Sequence, residues 1–512
     1  MPAMRGTAIR TATLLRVALA LGACTAIAAC GGGAGNAAGS PPPTARAAAI
    51  PTPARTAVTP LSDWPEFGLN PQRGDASERT TQITGANVAH LRRQGVALPG
   101  TVDSSPIYLH SALVRGAAHE TIVVTTTYGK TLAIDAASGR ILWTFTPPGY
   151  GGWAGTAQIT TASPLADPDG RFVYAASPNG LIHKLALADG GEDRSGAWPV
   201  SVTRDPTHEK LAAALSIDGP DVVAATGGYF GDAPPYQGHV VLIDRSSGRL
   251  SRVFNTLCSG RRVLLVPSSC PASDSAILSR GGPVVEPGGR RILLDTGNGP
   301  WNGSTNFGDS VLELTFPGLI LRQSFTPTDQ AQLNASDTDL GSSAPVLLGS
   351  NRVLVAGKDG IMRVLELARL NGRSAASHTL LGGELQRLPL PGGGELFSAP
   401  AVWRRGGRTT VFVGDESATA AYVLSGGRLR LVWQNATPGT SPVLVGGLLY
   451  VYDPAAGGIS VYRPSSPRPL AKLPGTPGHW NSPIVADGHV IEPEGDANEH
   501  RTSGTLEIFS AG

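Results

Sequence analysis

The side chains with the most chemical potential lie between residues 295 and 360. Asp337 and Asp339, in Asn334-Ala-Ser-Asp337-Thr-Asp339-Leu-Gly341-Ser, stand two residues apart. That spacing projects both acids from one side of an extended strand, where a carboxylate could act as a general base. The same acids could instead cap the turn entering the next element. Upstream, Thr296-Gly297-Asn298-Gly299 reads either as a tight turn or as a loop presenting the Asn298 carboxamide to a ligand. Lys358-Asp359-Gly360 reads as a two-residue hairpin turn preceded by an exposed lysine, with an anion contact as the alternative. His110, His119, His183, His239, His378, His479, His489 and His500 are scattered, without ligand spacing or a companion cysteine, which argues against zinc. His479-Trp480 reads as packing. No Gly-x-Ser-x-Gly elbow, P-loop or dinucleotide fingerprint is present.

The elements that must position these residues are short strands. The 512-residue chain is too long for one ordinary core, and its 66 glycines, 42 prolines and 16% charged residues favour turns and strands over long helices. A formal charge of +2 gives no electrostatic case for nucleic acid or an acidic membrane surface. One small signature recurs: a small or polar pair, then proline, then an apolar run. It is found at Pro106, Pro164, Pro283, Pro345, Pro400, Pro442 and Pro483, with spacings of 58, 119, 62, 55, 42 and 41 residues. The gap of 119 hides a degenerate copy at Leu211–Gly219. Second and third strands follow each copy, and about forty residues per unit is one four-stranded blade. The pattern predicts an all-β, eight-bladed propeller of antiparallel blades, with seven as the alternative count. The last unit ends at Thr505–Phe509 without a fourth strand, so Leu91–Leu98 is expected to complete it and close the ring. Residues 61–90 are then expected to cover the outside.

Thr131–Phe145 carries the most complete strand–turn–strand pattern, Ala133-x-Asp135-x-x-Ser138-Gly139-x-x-x-Trp143. It resembles the tryptophan-docking motif of PQQ-type β-propellers, in which the Trp packs between neighbouring blades. The related turn at Asp244–Gly248 has Arg252 at the Trp position, and Trp433 follows a Gly-Gly turn without the Asp. Trp64-Pro-Glu-Phe67-Gly-Leu-Asn70 is similar to the W-x-x-F-G-x-N run that opens bacterial propellers of this group.

Asp295-Thr-Gly-Asn298-Gly-Pro-Trp301-Asn302, then Phe307-Gly-Asp309 and Thr326-Pro-Thr-Asp329, resemble a blade of the quinoprotein alcohol dehydrogenases. The resemblance implies Asn298 as a calcium ligand beneath PQQ, with Trp301 and Asp329 as further cofactor-site residues. It also places the catalytic base at Gln332, a carboxamide without useful proton affinity. The adjacent cysteine pair found over PQQ in such enzymes is missing.

Arg5, Arg10 and Arg16 precede the apolar run Val17–Ala29, and Ile27-Ala28-Ala29-Cys30 resembles a bacterial lipobox; Leu21-Gly22-Ala23-Cys24 is the alternative. The expected organisation is a signal peptide over 1–29, a Gly/Ala/Pro-rich tether over 30–60 and a propeller over 61–512. Export makes a Cys258–Cys270 disulfide permissible, with metal binding as the alternative. The expectation is a lipid-anchored, monomeric binding or assembly scaffold of the cell envelope. It resembles the PQQ-like repeat group that includes the assembly lipoprotein BamB, and its partners would be envelope proteins or peptides. The alternative is a periplasmic alcohol or sugar dehydrogenase using PQQ and Ca²⁺.

Overall fold

Each copy of the Pro-centred signature opens a blade. The computed structural model describes residues 63–349, 351–373 and 378–512. Cys24, Cys30, the signal segment and the tether therefore lie outside the described residues. Blade one runs Ile107–Val114, Ala117–Thr125, Thr131–Asp135 and Ile141–Phe145, paired antiparallel in that order. Seven more sheets repeat the pattern, so the eight-bladed reading is correct. The degenerate third copy is a true blade start, with Ser216–Asp218 paired to Asp221–Ala225. In blade eight, Arg92–Leu98 pairs with Gly504–Ser510.

Strands rich in Val, Leu and Ile bury both faces, and an apolar cluster lies between every two neighbouring blades. Trp143 and Val173 join blades one and two, Tyr174 and Val222 two and three, and Val240 and Ile292 three and four. Leu293 and Val353 join four and five, Val364 and Val411 five and six, and Phe412 and Leu449 six and seven. A final cluster holds Val461, Ile491 and Val124, from blades seven, eight and one.

Trp143 is 3% exposed, and its indole N–H donates to the Leu187 carbonyl of blade two at 2.8 Å. Asp135 Oδ1 accepts the Ser138 N–H at 2.8 Å, and Gly139 closes the turn at φ 69°. Ala133, directly opposite Trp143 in the ladder, is fully buried. Trp433 docks in the same way without the Asp turn, donating to the Pro464 carbonyl of the following blade at 2.8 Å. Arg252 is exposed, so blade three has no such dock.

The small residues of the signatures meet around the axis. The Ser105 N–H donates to Ser163 Oγ at 2.9 Å, Ser343 Oγ–H to the Ser398 carbonyl at 2.8 Å, and the Ala399 N–H to Ser441 Oγ at 3.1 Å. Larger side chains would force these inner edges apart.

The opening segment differs from expectation. Rather than lying wholly outside, residues 64–77 run along the inner strands and plug the channel. Phe67 packs against Ala214 and Ala399, from the third and sixth signatures. Arg73, fully buried, donates to the Phe67 carbonyl at 2.7 Å and to Glu66 at 3.0 Å. Ala76–Ser77 then adds a parallel strand to blade seven. Inner-edge amides left over by the blades need partners, and this segment supplies them: the N–H groups of Ala166, Val285 and Val402 donate to the carbonyls of Pro65, Pro71 and Gly74.

Cys258 and Cys270 form a disulfide across the loop that follows blade three. Among the described residues no helix is long and apolar enough to cross a membrane.

Candidate functional site

The segments entering the blades and the hairpins between second and third strands surround a cavity of about 550 Å³. Its wall carries Lys210, Asp232, Arg280, Asp337, Asp339, Lys358, Glu395 and Glu416, together with Tyr229, Phe230, Phe397, His479 and Trp480.

Lys210 is held by a two-stranded ribbon, Glu209–Lys210 against Gly227–Gly228. Only glycine fits at 228, because a Cβ there would lie 2.7 Å from the Tyr236 ring. Glu209 anchors the ribbon through His239 Nε2 at 2.9 Å. Burial, with Arg280 nearby, pushes the Lys210 ammonium down to about 8.

Arg280 is 6% exposed and donates to Asp103 Oδ1 at 3.0 Å and to the Asp103 carbonyl at 2.9 Å. Asp103 Oδ2 also meets His479 Nδ1 at 2.7 Å and the Ala497 N–H at 3.0 Å. Burial alone would raise the Asp103 carboxyl, but Arg280 and His479 hold it well below the usual carboxylate range. Asp103, His479 and Asp496 are close enough to share a cation. The Arg280 guanidinium already neutralises Asp103, however, so the trio does not fit a metal ion.

Asp339 lies at the centre of the opposite wall. Its Oδ1 accepts the Asn298 N–H at 2.8 Å, and its Oδ2 meets the Lys358 ammonium at 2.6 Å. Asp337 lies 3.5 Å from the same ammonium. Lys358 is thus not the exposed turn residue that its sequence suggests, since its side chain is 20% exposed. Burial works against its charge, but Asp339 and Asp337 hold the ammonium above its ordinary range. Nearby, burial pushes Asp309 up to about 8.

The residues singled out by motif separate. Asn298 reaches Asp339 only through its backbone, and its side chain does not line the cavity. Trp301 bridges to Phe307 and packs against the core between blades three and four. Asp329 precedes a short helix, Gln330–Ala335, and faces Arg387 at 3.3 Å. Gln332 sits on the exposed side of that helix. The cavity carboxylate nearest in sequence to Gln332, beyond Asp337, is Asp339, seven residues on. Lys210, Arg280 and Asp103 escaped the motif search, and His479-Trp480 reads there only as packing. Each lies in a connecting segment, and the only available signal was its place just ahead of a signature.

A family profile described as "Outer membrane protein assembly factor BamB" matches residues 71–253. Over those residues, about a third of the chain, the sequence is similar to the PQQ-like repeats of that family. Among solved structures it is similar to the quinohemoprotein alcohol dehydrogenase from Comamonas testosteroni, with 15% identity and a TM-score of 0.61, covering 88% of this chain and 80% of that one. It is also similar to a europium-containing methanol dehydrogenase, with 14% identity and a TM-score of 0.62, covering 88% and 98%. At these identities the likeness speaks for the fold alone. No curated protein matches the chain by sequence.

The cofactor of the quinoprotein relatives can be tested against this cavity. Trp480 is the indole on its wall, and it is stacked by Phe397 at 4.0 Å and 14° and by His479 at 3.7 Å and 26°. Two near-parallel rings that close cannot share one face, so both faces of the indole are covered. A planar quinone has no stacking surface there. Calcium fares no better. Beside Asn298 the only carboxylate in the cavity wall to which its backbone is bonded is Asp339, whose oxygens are taken by an N–H and an ammonium. A divalent cation would face Lys358 at contact distance. At Trp480 and Asp339 the wall therefore offers neither a free indole face for PQQ nor an unpaired carboxylate for Ca²⁺.

Proposed function

We propose that this chain is a non-catalytic binding or assembly module of the cell envelope, engaging its partner at the mouth of the propeller. The observation that carries this reading is the Lys358–Asp339 pair at 2.6 Å, which engages a carboxylate that would have to be free to act as a base. Around it the cavity keeps features suited to binding. Phe230 is 94% exposed at the rim, and charged groups of both signs line the wall. Mouths and loops of propellers bind by shape and charge, and the fold does not name the partner.

Export with a lipid on Cys30, or on Cys24 as the alternative, belongs to the same proposal. It rests on the sequence of residues 5–33 and is supported by the Cys258–Cys270 disulfide, a bond typical of oxidising compartments. In this arrangement the protein is a monomer that touches the membrane only through the lipid.

A second reading, a PQQ- and calcium-dependent dehydrogenase, is favoured by one observation: Asp339 lies beside Asn298 in the cavity wall. The two readings part in a dye-linked assay. Purified protein incubated with PQQ and Ca²⁺ and given a panel of alcohols and sugars is expected to reduce no dye. Turnover with any of them would overturn the binding reading. For the anchor, Cys30→Ala is expected to release the protein from membranes; continued partition would move the lipid to Cys24 or remove it.

A further inference from the structure

Three cations line the cavity, and two are spent. Arg280 is committed to Asp103 and Lys358 to Asp339. Lys210 differs, because its ammonium makes no hydrogen bond or ion pair with any described residue while its side chain lines the cavity. The residue is half-buried, so an anion entering the cavity could pair with this ammonium without displacing a protein partner. The ribbon holding Lys210 is paired to Gly227–Gly228 and anchored by Glu209 on His239, and it presents the Lys210 side chain to the cavity.

The far wall carries the complementary surplus. Lys210 lies between blades two and three, whereas Glu395 precedes blade six and Glu416 belongs to it. In an eight-membered ring these stations lie on roughly opposite sides. Neither glutamate has an ion-pair partner among the described residues. Burial raises the Glu395 carboxyl and Glu416 raises it further, with Lys358 opposing them and Asp339 and Asp337 adding to the rise, so the acids outweigh the one nearby cation. Tyr229, Phe230 and Phe397 add aromatic rings to the same lining. The volume of about 550 Å³ falls in the range of pockets that enclose small ligands.

We infer that the cavity takes a short peptide with free termini, its C-terminal carboxylate seated on Lys210 and its N-terminal ammonium between Glu395 and Glu416. The inference rests on the reading of the propeller mouth as a binding site. A peptide suits the cavity better than a single amino acid because the two charge stations face each other across the ring.

Isothermal titration calorimetry on the purified protein tests this with alanine–phenylalanine peptides of increasing length, each with free termini, N-acetylated or C-amidated. A free peptide of matching length is expected to saturate the protein at one site, and either block is expected to weaken binding by about tenfold or more. Lys210→Met is expected to weaken the free peptide by a similar factor while leaving the amide unchanged, and thermal unfolding of the variant reports whether its fold is retained. Blocked peptides that bind as well as free ones, or no saturation by any free peptide, would overturn the inference. PQQ with Ca²⁺ is titrated in parallel. Stoichiometric uptake of the quinone would bring down the binding reading and the peptide inference together, whereas failure of the peptides alone leaves the binding reading standing.

Discussion

Lys358 Nζ lies 2.6 Å from Asp339 Oδ2, while the other oxygen of the same carboxylate accepts the Asn298 N–H at 2.8 Å. This arrangement converts what the sequence offers as a general base into one half of a structural ion pair. Lys358→Met would leave a carboxylate that is only 4% exposed without its cation. The expected loss is about 3 kcal/mol of unfolding free energy at neutral pH, read by urea denaturation. Adding Asp339→Asn should recover much of it, because the cost lies in the stranded charge. A double variant no better than the single one would show that the pair is not coupled.

Trp143 is the second point of leverage. Trp143→Ala removes an indole from the seam between blades one and two and orphans the Leu187 carbonyl. The expected cost is about 3–5 kcal/mol. Trp143→Phe should keep most of the packing and lose only the hydrogen bond, at about 1 kcal/mol. Equal losses for the two would mean that the N–H, and not the ring, carries the dock.

Phe67→Ala probes the plug. The ring is 1% exposed and packs against Ala214 and Ala399 at the axis, so its loss should open a void worth about 3–5 kcal/mol. A near-neutral substitution would show that residues 64–77 can leave the channel without cost.

Asp295 provides a pH test. Its carboxyl is fully buried and neither oxygen has a protein partner, so burial holds it well above the usual carboxylate range. A carboxyl raised by folding favours the native state below its unfolded value, about pH 4, and that advantage is lost as pH rises toward the folded value. Asp295→Asn carries no such dependence. The stability difference should therefore move in the variant's favour as pH rises from 4 toward neutrality, by up to about 1.4 kcal/mol per pH unit. A difference that stays flat across this range would contradict a protonated Asp295.

The blades were legible because their signal is local and repeated. Each Pro-centred signature marks an inner strand, and Ala133, Asp135, Gly139 and Trp143 encode one turn and one dock within eleven residues. Even the weak copy before Ser216 could be placed by spacing. The cavity was not legible in the same way. Arg280 and Asp103 are 177 residues apart, and only the curvature of the ring brings them to 3.0 Å. The motif's base position fell on Gln332, and the sequence offered Asp337 and Asp339 in its place. The helix Gln330–Ala335 turns Gln332 outward, and the chain delivers Asp339 to the wall instead. Trp301, which the dehydrogenase resemblance would place at a cofactor, packs against the apolar side chains of two blades. The plug formed by residues 64–77 had no periodic signature, because its partners are leftover backbone groups of the blades and not a side-chain pattern.

The central claim is that the propeller mouth has given up the quinone site and kept a binding site. Equilibrium titration of the purified protein with PQQ and Ca²⁺, followed by absorbance of the retained quinone after gel filtration, tests it most directly. The account predicts no retained quinone at micromolar cofactor, because both faces of Trp480 are covered and Asp339 is paired with Lys358. One quinone retained per chain would contradict it.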